Sequence, residues 1–184
     1  MLYKQCSGLC EVMKTQFVSW REIDKCCNKL ALQILKSDWR PNYIVGIARG
    51  GLPAAVILSH LLDIPMFSLK VTLRDGIEDD CDHNCWMAED AFGYGKMGCL
   101  EVDPMNILIL DDINDSGATI EWIKKDWPAS CLPNNEAWGK VWHNNVKFAV
   151  LVNNLASKQE VDFAAMEINK EEDPVWLHFP WEHK

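Results

Sequence analysis

Positive charge is scarce in this chain. Its 18 Lys and Arg stand against 27 Asp and Glu, leaving a net charge of −9 with His neutral. A broad basic face that could neutralise a phosphate backbone is therefore lacking, and nucleic acid is not an expected partner. Long apolar runs are missing too: no stretch reaches the roughly 18 residues that a membrane-spanning helix needs. The first residues, Met1-Leu2-Tyr3-Lys4-Gln5-Cys6, lack the apolar core and small-residue cleavage site of a secretory leader. Internal repeats and low-complexity tracts are also absent. Together these absences predict a cytoplasmic protein with no membrane partner. A polyanionic ligand would have to be met by local backbone amides, a few cations and a divalent metal.

What is present is the composition of a globular protein, with 48% apolar and 24% charged residues over 184 positions. That length predicts one domain, residues 1–184, with a sizeable core. The eight cysteines read as free thiols, because a chain with such a core needs no disulfide framework.

Taken in order, residues 1–18 show no period and read as a loosely attached arm. Ser19 offers a helix N-cap and Glu22 completes a capping box. From Trp20 the positions Ile23, Cys26, Cys27, Leu30, Leu32 and Ile34 recur at helical spacing, predicting a helix to about residue 35. Tyr43-Ile44-Val45-Gly46-Ile47-Ala48 reads as a buried strand. Arg49-Gly50-Gly51 turns it into a helix over 52–62, with Pro53 in the first turn, and residues 66–71 form the next strand of a right-handed βαβ unit. Residues 72–105 carry no sustained period and are too long for a plain connection, which predicts a lid or binding element. A strand at 106–110 and a helix to about Trp127 follow. Residues 128–145 read as an irregular insertion, 146–152 and 161–168 as strands, and the aromatic tail 175–181 as a segment folded back on the body. The fold class is α/β: a central, mostly parallel sheet flanked by helices.

The chemistry concentrates at residues 107–119. Ile107-Leu108-Ile109-Leu110 is an unbroken apolar run, suited to a strand buried on both faces. Asp111 and Asp112 close it, and Asp115-Ser116-Gly117-Ala118-Thr119 turns it into a helix. Such a strand-to-helix turn lies at the carboxyl edge of a parallel sheet, where open α/β folds bind ligands. The amides of the helix start, with the Ser116 and Thr119 hydroxyls, form a phosphate cradle. Gly117 allows the close approach a cradle needs. The carboxylate pair is the wrong charge for phosphate and suits vicinal hydroxyls, a hydrated Mg²⁺, or both. Without a ligand, two adjacent carboxylates at a buried strand end would be costly.

Residues 109–119 closely resemble the phosphoribosyl-diphosphate (PRPP) signature of the type I phosphoribosyltransferases. Ile47-Ala48-Arg49-Gly50-Gly51-Leu52 resembles the pyrophosphate-binding loop of the same family. The Ala-Arg-Gly-Gly-Leu loop and the tail Trp176-Leu177-His178-Phe179-Pro180-Trp181-Glu182 resemble in particular the xanthine-guanine members, and the likeness runs from about Trp20 to Glu182. It implies a type I phosphoribosyltransferase fold with a mobile hood over residues 72–105, and Mg²⁺-dependent transfer of the phosphoribosyl group from PRPP to a nucleobase, a purine rather than a pyrimidine, in nucleotide salvage. The products would be a nucleoside monophosphate and pyrophosphate. By the same resemblance Asp111 and Asp112 would hold the ribose hydroxyls with the metal nearby. Asp115 would exchange a proton with a ring nitrogen of the base, and residues 115–119 would cradle the 5′-phosphate. Arg49, Gly50 and Gly51 would meet the pyrophosphate, Trp176 would stack on the base and Leu177 would read it through its backbone. A homodimer or homotetramer is also expected.

The departures from the family concern the base. Members that use 6-oxopurines carry a Lys at the end of the strand that here ends in Asn153-Asn154. An amide both donates and accepts, so these two residues leave a 6-oxo and a 6-amino group undistinguished. His178 stands where the xanthine-guanine enzymes have an acidic residue, which changes base recognition again. Thr72-Leu73-Arg74 replaces a Ser/Tyr pair, and Arg74 is expected to supply hood charge to the pyrophosphate. Two other readings of the site are a non-catalytic PRPP or nucleotide sensor and a Mg²⁺-dependent phosphohydrolase, the latter lacking a water-activating partner. Cys81, His83 and Cys85 offer soft-metal ligands without the second pair a structural zinc site adds. Trp127, Trp138 and Trp142 mark a candidate subunit contact.

Overall fold

The Ser19 hydroxyl accepts from the Glu22 N–H, and the Glu22 carboxylate takes the Ser19 N–H at 2.7 Å. This reciprocal box opens α1 (Trp20–Lys36), whose Ile23, Cys26, Cys27, Leu30 and Ile34 form one buried stripe. The structure, a computed structural model, describes residues 14–74, 77–94 and 103–182, without the side chains of residues 74 and 77–79. The elements that follow α1 are β2 (Tyr43–Ala48), α2 (Gly51–Leu62), β3 (Met66–Arg74), β4 (Ile77–Cys81) and α3 (Cys85–Phe92). After them come β5 (Ile107–Asn114), α4 (Ala118–Ser130), β6 (Val146–Asn154), β7 (Phe163–Ile168) and β8 (Val175–His178), with β1 (Lys14–Phe17) preceding α1.

Six strands form the main sheet in the order β4-β3-β2-β5-β6-β7. All its neighbours are parallel except the β3–β4 pair. Parallel strands need crossovers that cover both faces, which is why β2 and β5 are apolar without alternation. On one face Ile44, Leu108 and Leu110 pack with α1 and α2; on the other Val45, Ile107 and Ile109 pack with α3 and α4. The chain runs outward from β2 to β3 and then returns to the opposite side of β2 as β5. The junction between β2 and β5 is therefore the point where strand order reverses, and the loops after these two strands open side by side at the carboxyl edge. None of the described helices is long and apolar enough to cross a membrane.

Several local expectations change. Residues 1–13 of the expected arm lie outside the described residues; residues 14–17 form β1, which pairs in parallel with β8, Lys14 facing Val175 and Phe17 facing His178. Its side chains are all exposed, so no apolar pattern announced it. The 72–105 segment is not one open loop. It begins with the β3–β4 hairpin and continues as α3, whose Met87, Ala88 and Ala91 are buried in the core beside α4. The helix expected to end at Trp127 runs on through Pro128 to Ser130. A proline removes one backbone donor, and in the last turn only one bond is lost; the Cys131 N–H still reaches the Trp127 carbonyl at 3.0 Å. Trp127 and Trp138 are buried in this chain's own core and pack on Trp142, with ring centroids 6.0 and 5.7 Å apart. The surfaces of Trp127 and Trp138 are thus spent inside the molecule, a correction to their place in a candidate subunit contact, and Trp142 is half-buried.

Candidate active site

The glycines of the β2–α2 turn are explained by what lies under them. A Cβ on Gly50 would collide with the Asp112 carboxylate, and one on Gly51 with the Leu110 carbonyl. The turn thus presses directly on the end of β5, and only glycine lets it. The Ala48–Arg49 peptide in this turn is cis. Across the junction, β5 ends and Gly117 takes φ +86°, a left-handed conformation that costs glycine nothing. From it α4 starts with Ala118, and the first intrahelical bond runs from the Glu121 N–H to the Gly117 carbonyl at 2.9 Å. The amides of the first turn have no intrahelical acceptor, so they face the loop's concavity. The Ser116 hydroxyl sits against the Ala118 N–H at 3.4 Å.

Both turns line one cleft of about 870 Å³, with Arg49, Gly50, Asp111, Asp112, Ser116, Ala118 and Thr119 in its wall. A smaller adjoining pocket of about 250 Å³ is lined by residues 111–120 and Val150. Val71, Thr72 and Leu73 of β3 form the side of the cleft where the hood was expected to begin. Trp181 and Glu182 form another, and the buried Trp181 indole N–H is directed at Asp112, whose carboxyl pKa it lowers in part. Arg74 ends β3, and its side chain lies outside the described residues.

Burial pushes the Asp111 carboxyl well above the usual carboxylate range, and the neighbouring Asp112 charge pushes it further. Burial also raises Asp112, opposed in part by the Ile113 backbone N–H. The Asp111 carboxylate accepts the Asp112 N–H at 2.9 Å, and neither side chain forms an ion pair among the described residues. Such a pair favours an added cation or hydroxyl donors. Mg²⁺ takes oxygen ligands and is commonly held by one or two carboxylates together with substrate phosphates. The donor set fits that pattern. Among the described residues no group of three or more His, Cys, Asp or Glu side chains is placed for a metal cage. At the Cys81-His83-Cys85 stretch, the His83 Nδ1 lies 2.5 Å from Asp126 Oδ1, and the Cys85 thiol donates to the Ser130 carbonyl at 3.3 Å.

The residues expected at the base are arranged differently from one another. Asn154 turns into the protein, a correction to the reading that set its amide against a base, whereas Asn153 is half-buried. Asn154 is buried, and its amide is fully used: Oδ1 accepts from the Ala156 N–H at 3.2 Å and the Lys170 N–H at 3.1 Å. Its Nδ2 donates to the Asp115 carbonyl at 3.1 Å and to Asp115 Oδ1 at 3.2 Å. The Asn153 Oδ1 accepts from Asn114 Nδ2 at 2.8 Å. Asn114 in turn donates to the Gln159 carbonyl and accepts from the Ser157 hydroxyl, a polar layer beneath the 115–119 turn. Leu177 is buried in the core, and β8 is paired along one edge by β1. His178 packs its ring 5.2 Å from that of Phe17 in β1, with Nδ1 4.0 Å from the Glu182 carboxylate. Trp176 is 53% exposed and is not part of the cleft wall; its ring centre lies 5.9 Å from the Lys170 ammonium.

Lys170 was not foreseen. It sits in a polar run between β7 and β8 that has no period and no motif. Its ammonium lies 2.9 Å from Asp115 Oδ2 and 5.9 Å from the centre of the Trp176 ring, and its side chain is only 19% exposed. No signal in the sequence would have found it, because only the turn geometry brings it to Asp115.

Similarity to known proteins follows the same lines. A xanthine-guanine phosphoribosyltransferase of Idiomarina loihiensis is 24% identical over 171 residues, covering 90% of this chain and 86% of that protein. One from Cereibacter sphaeroides is 26% identical over 170 residues, covering 90% and 85%. The crystal structure of a purine phosphoribosyltransferase from Pyrococcus horikoshii superimposes with a TM-score of 0.64 over 94% of this chain and 97% of that one, at 22% identity. The phosphoribosyl transferase domain model matches residues 14–184, and the chain accordingly belongs to the phosphoribosyltransferase family of enzymes.

Proposed function

We propose that this enzyme transfers the 5-phosphoribosyl group from PRPP to a purine base in nucleotide salvage, with Mg²⁺, releasing pyrophosphate. The observation that carries the reading is the convergence of two turns on one cleft. The carboxylate pair and the α4 start stand beside the Arg49-Gly50-Gly51 turn, a diol site and two phosphate sites within reach of one ligand. The purine acceptor is supported by the named relatives and by the exposed Trp176 ring, 5.9 Å from the ammonium that holds Asp115.

In this reading the 5′-phosphate rests on the first-turn amides of α4 and the hydroxyls of Ser116 and Thr119. Asp111 and Asp112 take the ribose hydroxyls and would hold Mg²⁺, which when bound offsets the charge of the departing pyrophosphate. Arg49 and the amides of Gly50 and Gly51 orient the pyrophosphate. The bond from C1′ to the pyrophosphate oxygen breaks with its electron pair passing to that oxygen. A ring nitrogen of the base forms the new bond at C1′, and the ring N–H proton passes to the Asp115 carboxylate. Oriented donors at the leaving group matter most where water is excluded. The β3–β4 hairpin, whose Thr72 and Leu73 already border the cleft, is the element positioned to cover it.

The test is turnover in variants. Asp111→Ala combined with Asp112→Ala, and separately Asp115→Asn, lower pyrophosphate release by about a hundredfold or more, in line with the loss of groups that act in the transition state. Full activity in either would remove the site assignment.

A further inference from the structure

Asp115 carries two different partners, one on each oxygen. The buried amide of Asn154 holds Oδ1 at 3.2 Å, and the Lys170 ammonium holds Oδ2 at 2.9 Å. Asn154 also fixes Lys170 from behind, through the Lys170 backbone N–H at 3.1 Å. One buried side chain thus sets both the carboxylate and the turn that delivers the cation. A lysine on a surface turn is ordinarily solvated and mobile. This one is four-fifths covered, with its ammonium 2.9 Å from Asp115 and 5.9 Å from the centre of the exposed Trp176 ring.

We propose that Lys170 is the specificity-determining residue of the acceptor site and selects a 6-oxopurine over a 6-aminopurine, an inference that rests on the purine phosphoribosyltransferase reading. An ammonium has three donors and no acceptor, and a carboxylate has about four acceptor positions and no donor. After their mutual bond, Lys170 keeps two donors, and Asp115 keeps acceptor positions beyond those used by Lys170 and Asn154. The pair therefore offers a ligand one donor beside one acceptor. The complementary edge is a carbonyl oxygen next to a ring N–H, which a 6-oxopurine presents through its exocyclic oxygen and the adjacent imidazole nitrogen. A 6-aminopurine presents N–H donors at the exocyclic position, and these would face a cation that cannot accept. A site built to donate to a substrate oxygen discriminates strongly because mismatched polar groups are left unpaired. Trp176 supplies the plane on which the base rests. The Asn154 amide, spent on the protein, takes no part in reading the exocyclic group.

The experiment uses the full chain and two readouts. Wild type, Lys170→Met and Lys170→Arg are compared in transfer from PRPP to hypoxanthine, guanine and adenine, and in calorimetric binding of the inosine and adenosine 5′-monophosphates. Thermal unfolding confirms that the variants fold. The expected result is a wild-type preference for the 6-oxo ligands in both readouts, lowered at least tenfold in Lys170→Met and largely kept in Lys170→Arg. If no base is consumed but the Lys170→Met variant still loses nucleotide discrimination, the base-reading role stands and the transferase reading falls. If 6-oxopurines are consumed and Lys170→Met discriminates as wild type does, the role of Lys170 is overturned and the transferase reading stands. A wild-type preference for the 6-amino ligands, or no preference, overturns it as well.

Discussion

Asp111 shows how a functional residue can work against the fold that carries it. Its burial and the Asp112 charge raise its pKa, so the folded protein holds the proton more tightly than the unfolded chain does. Stability contributed by that proton is present at low pH and is lost as pH rises from the ordinary carboxylate range through the raised value. At neutral pH the ionised pair is thus a net cost that a bound cation or diol relieves. Asp111→Asn keeps an oxygen for the Asp112 N–H and removes the charge. It should raise the midpoint of thermal unfolding of the ligand-free protein, by about 2–4 °C for each kcal/mol relieved, while abolishing turnover. A fall in the midpoint would show that the pair is not strained. Asn154 is the opposite case, a buried amide with every position satisfied. Asn154→Ala strands the Ala156 and Lys170 N–H groups and releases Asp115. Urea denaturation is expected to show a loss of about 2–3 kcal/mol, with kcat/KM for the base falling more than for PRPP. The cost of the Asp111–Asp112 pair was legible in two adjacent carboxylates at a buried strand end, whereas the role of Asn154 was not. Asn153-Asn154 appeared as a changed base contact, because a residue's number along a strand does not tell which way a polar end will turn once a turn from β7–β8 closes on it.

At the scale of elements, the β5–α4 unit was read nearly whole, because an unbroken apolar run, a carboxylate pair and a glycine turn each have one physical explanation. Gly117 is the joint. It has φ +86°, and an added Cβ would meet Gln159 at 2.8 Å. Gly117→Ala therefore meets both backbone strain and a clash; it is expected to cost about 1–3 kcal/mol and to raise the KM for PRPP more than tenfold. An unchanged KM would detach the phosphate cradle from this turn. Other elements were hidden for identifiable reasons. β1 has no buried residue to mark it. α3 is short, and its apolar residues lie among the acidic residues of a segment that looked aperiodic. α4 passes Pro128 because its fully buried Trp127 anchors the last turn to Trp142. Helix boundaries set by tertiary packing are not written in local propensity.

For the whole molecule, the position of the site follows from topology. The chain leaves β2 in one direction and returns on its other side as β5, and the two turns left at that reversal are those lined with Arg49, Gly50, Asp111 and Asp112. On the proposed reading, an acidic chain meets a polyanion at one cleft with helix-start amides, a single arginine turn and a cation on the carboxylate pair, rather than with a basic surface. The two turns proposed for the donor could be read because each is contiguous in sequence. The proposed acceptor side draws Lys170 from the β7–β8 turn, which no sequence pattern marked. The central claim is that the cleft joins PRPP to a purine. The direct measurement is purified protein with PRPP, Mg²⁺ and a panel of hypoxanthine, guanine, xanthine and adenine, following pyrophosphate and nucleoside 5′-monophosphate together. The account predicts equal amounts of both products with at least one purine, lost on chelation of the metal. PRPP bound tightly with neither product formed from any purine would contradict it.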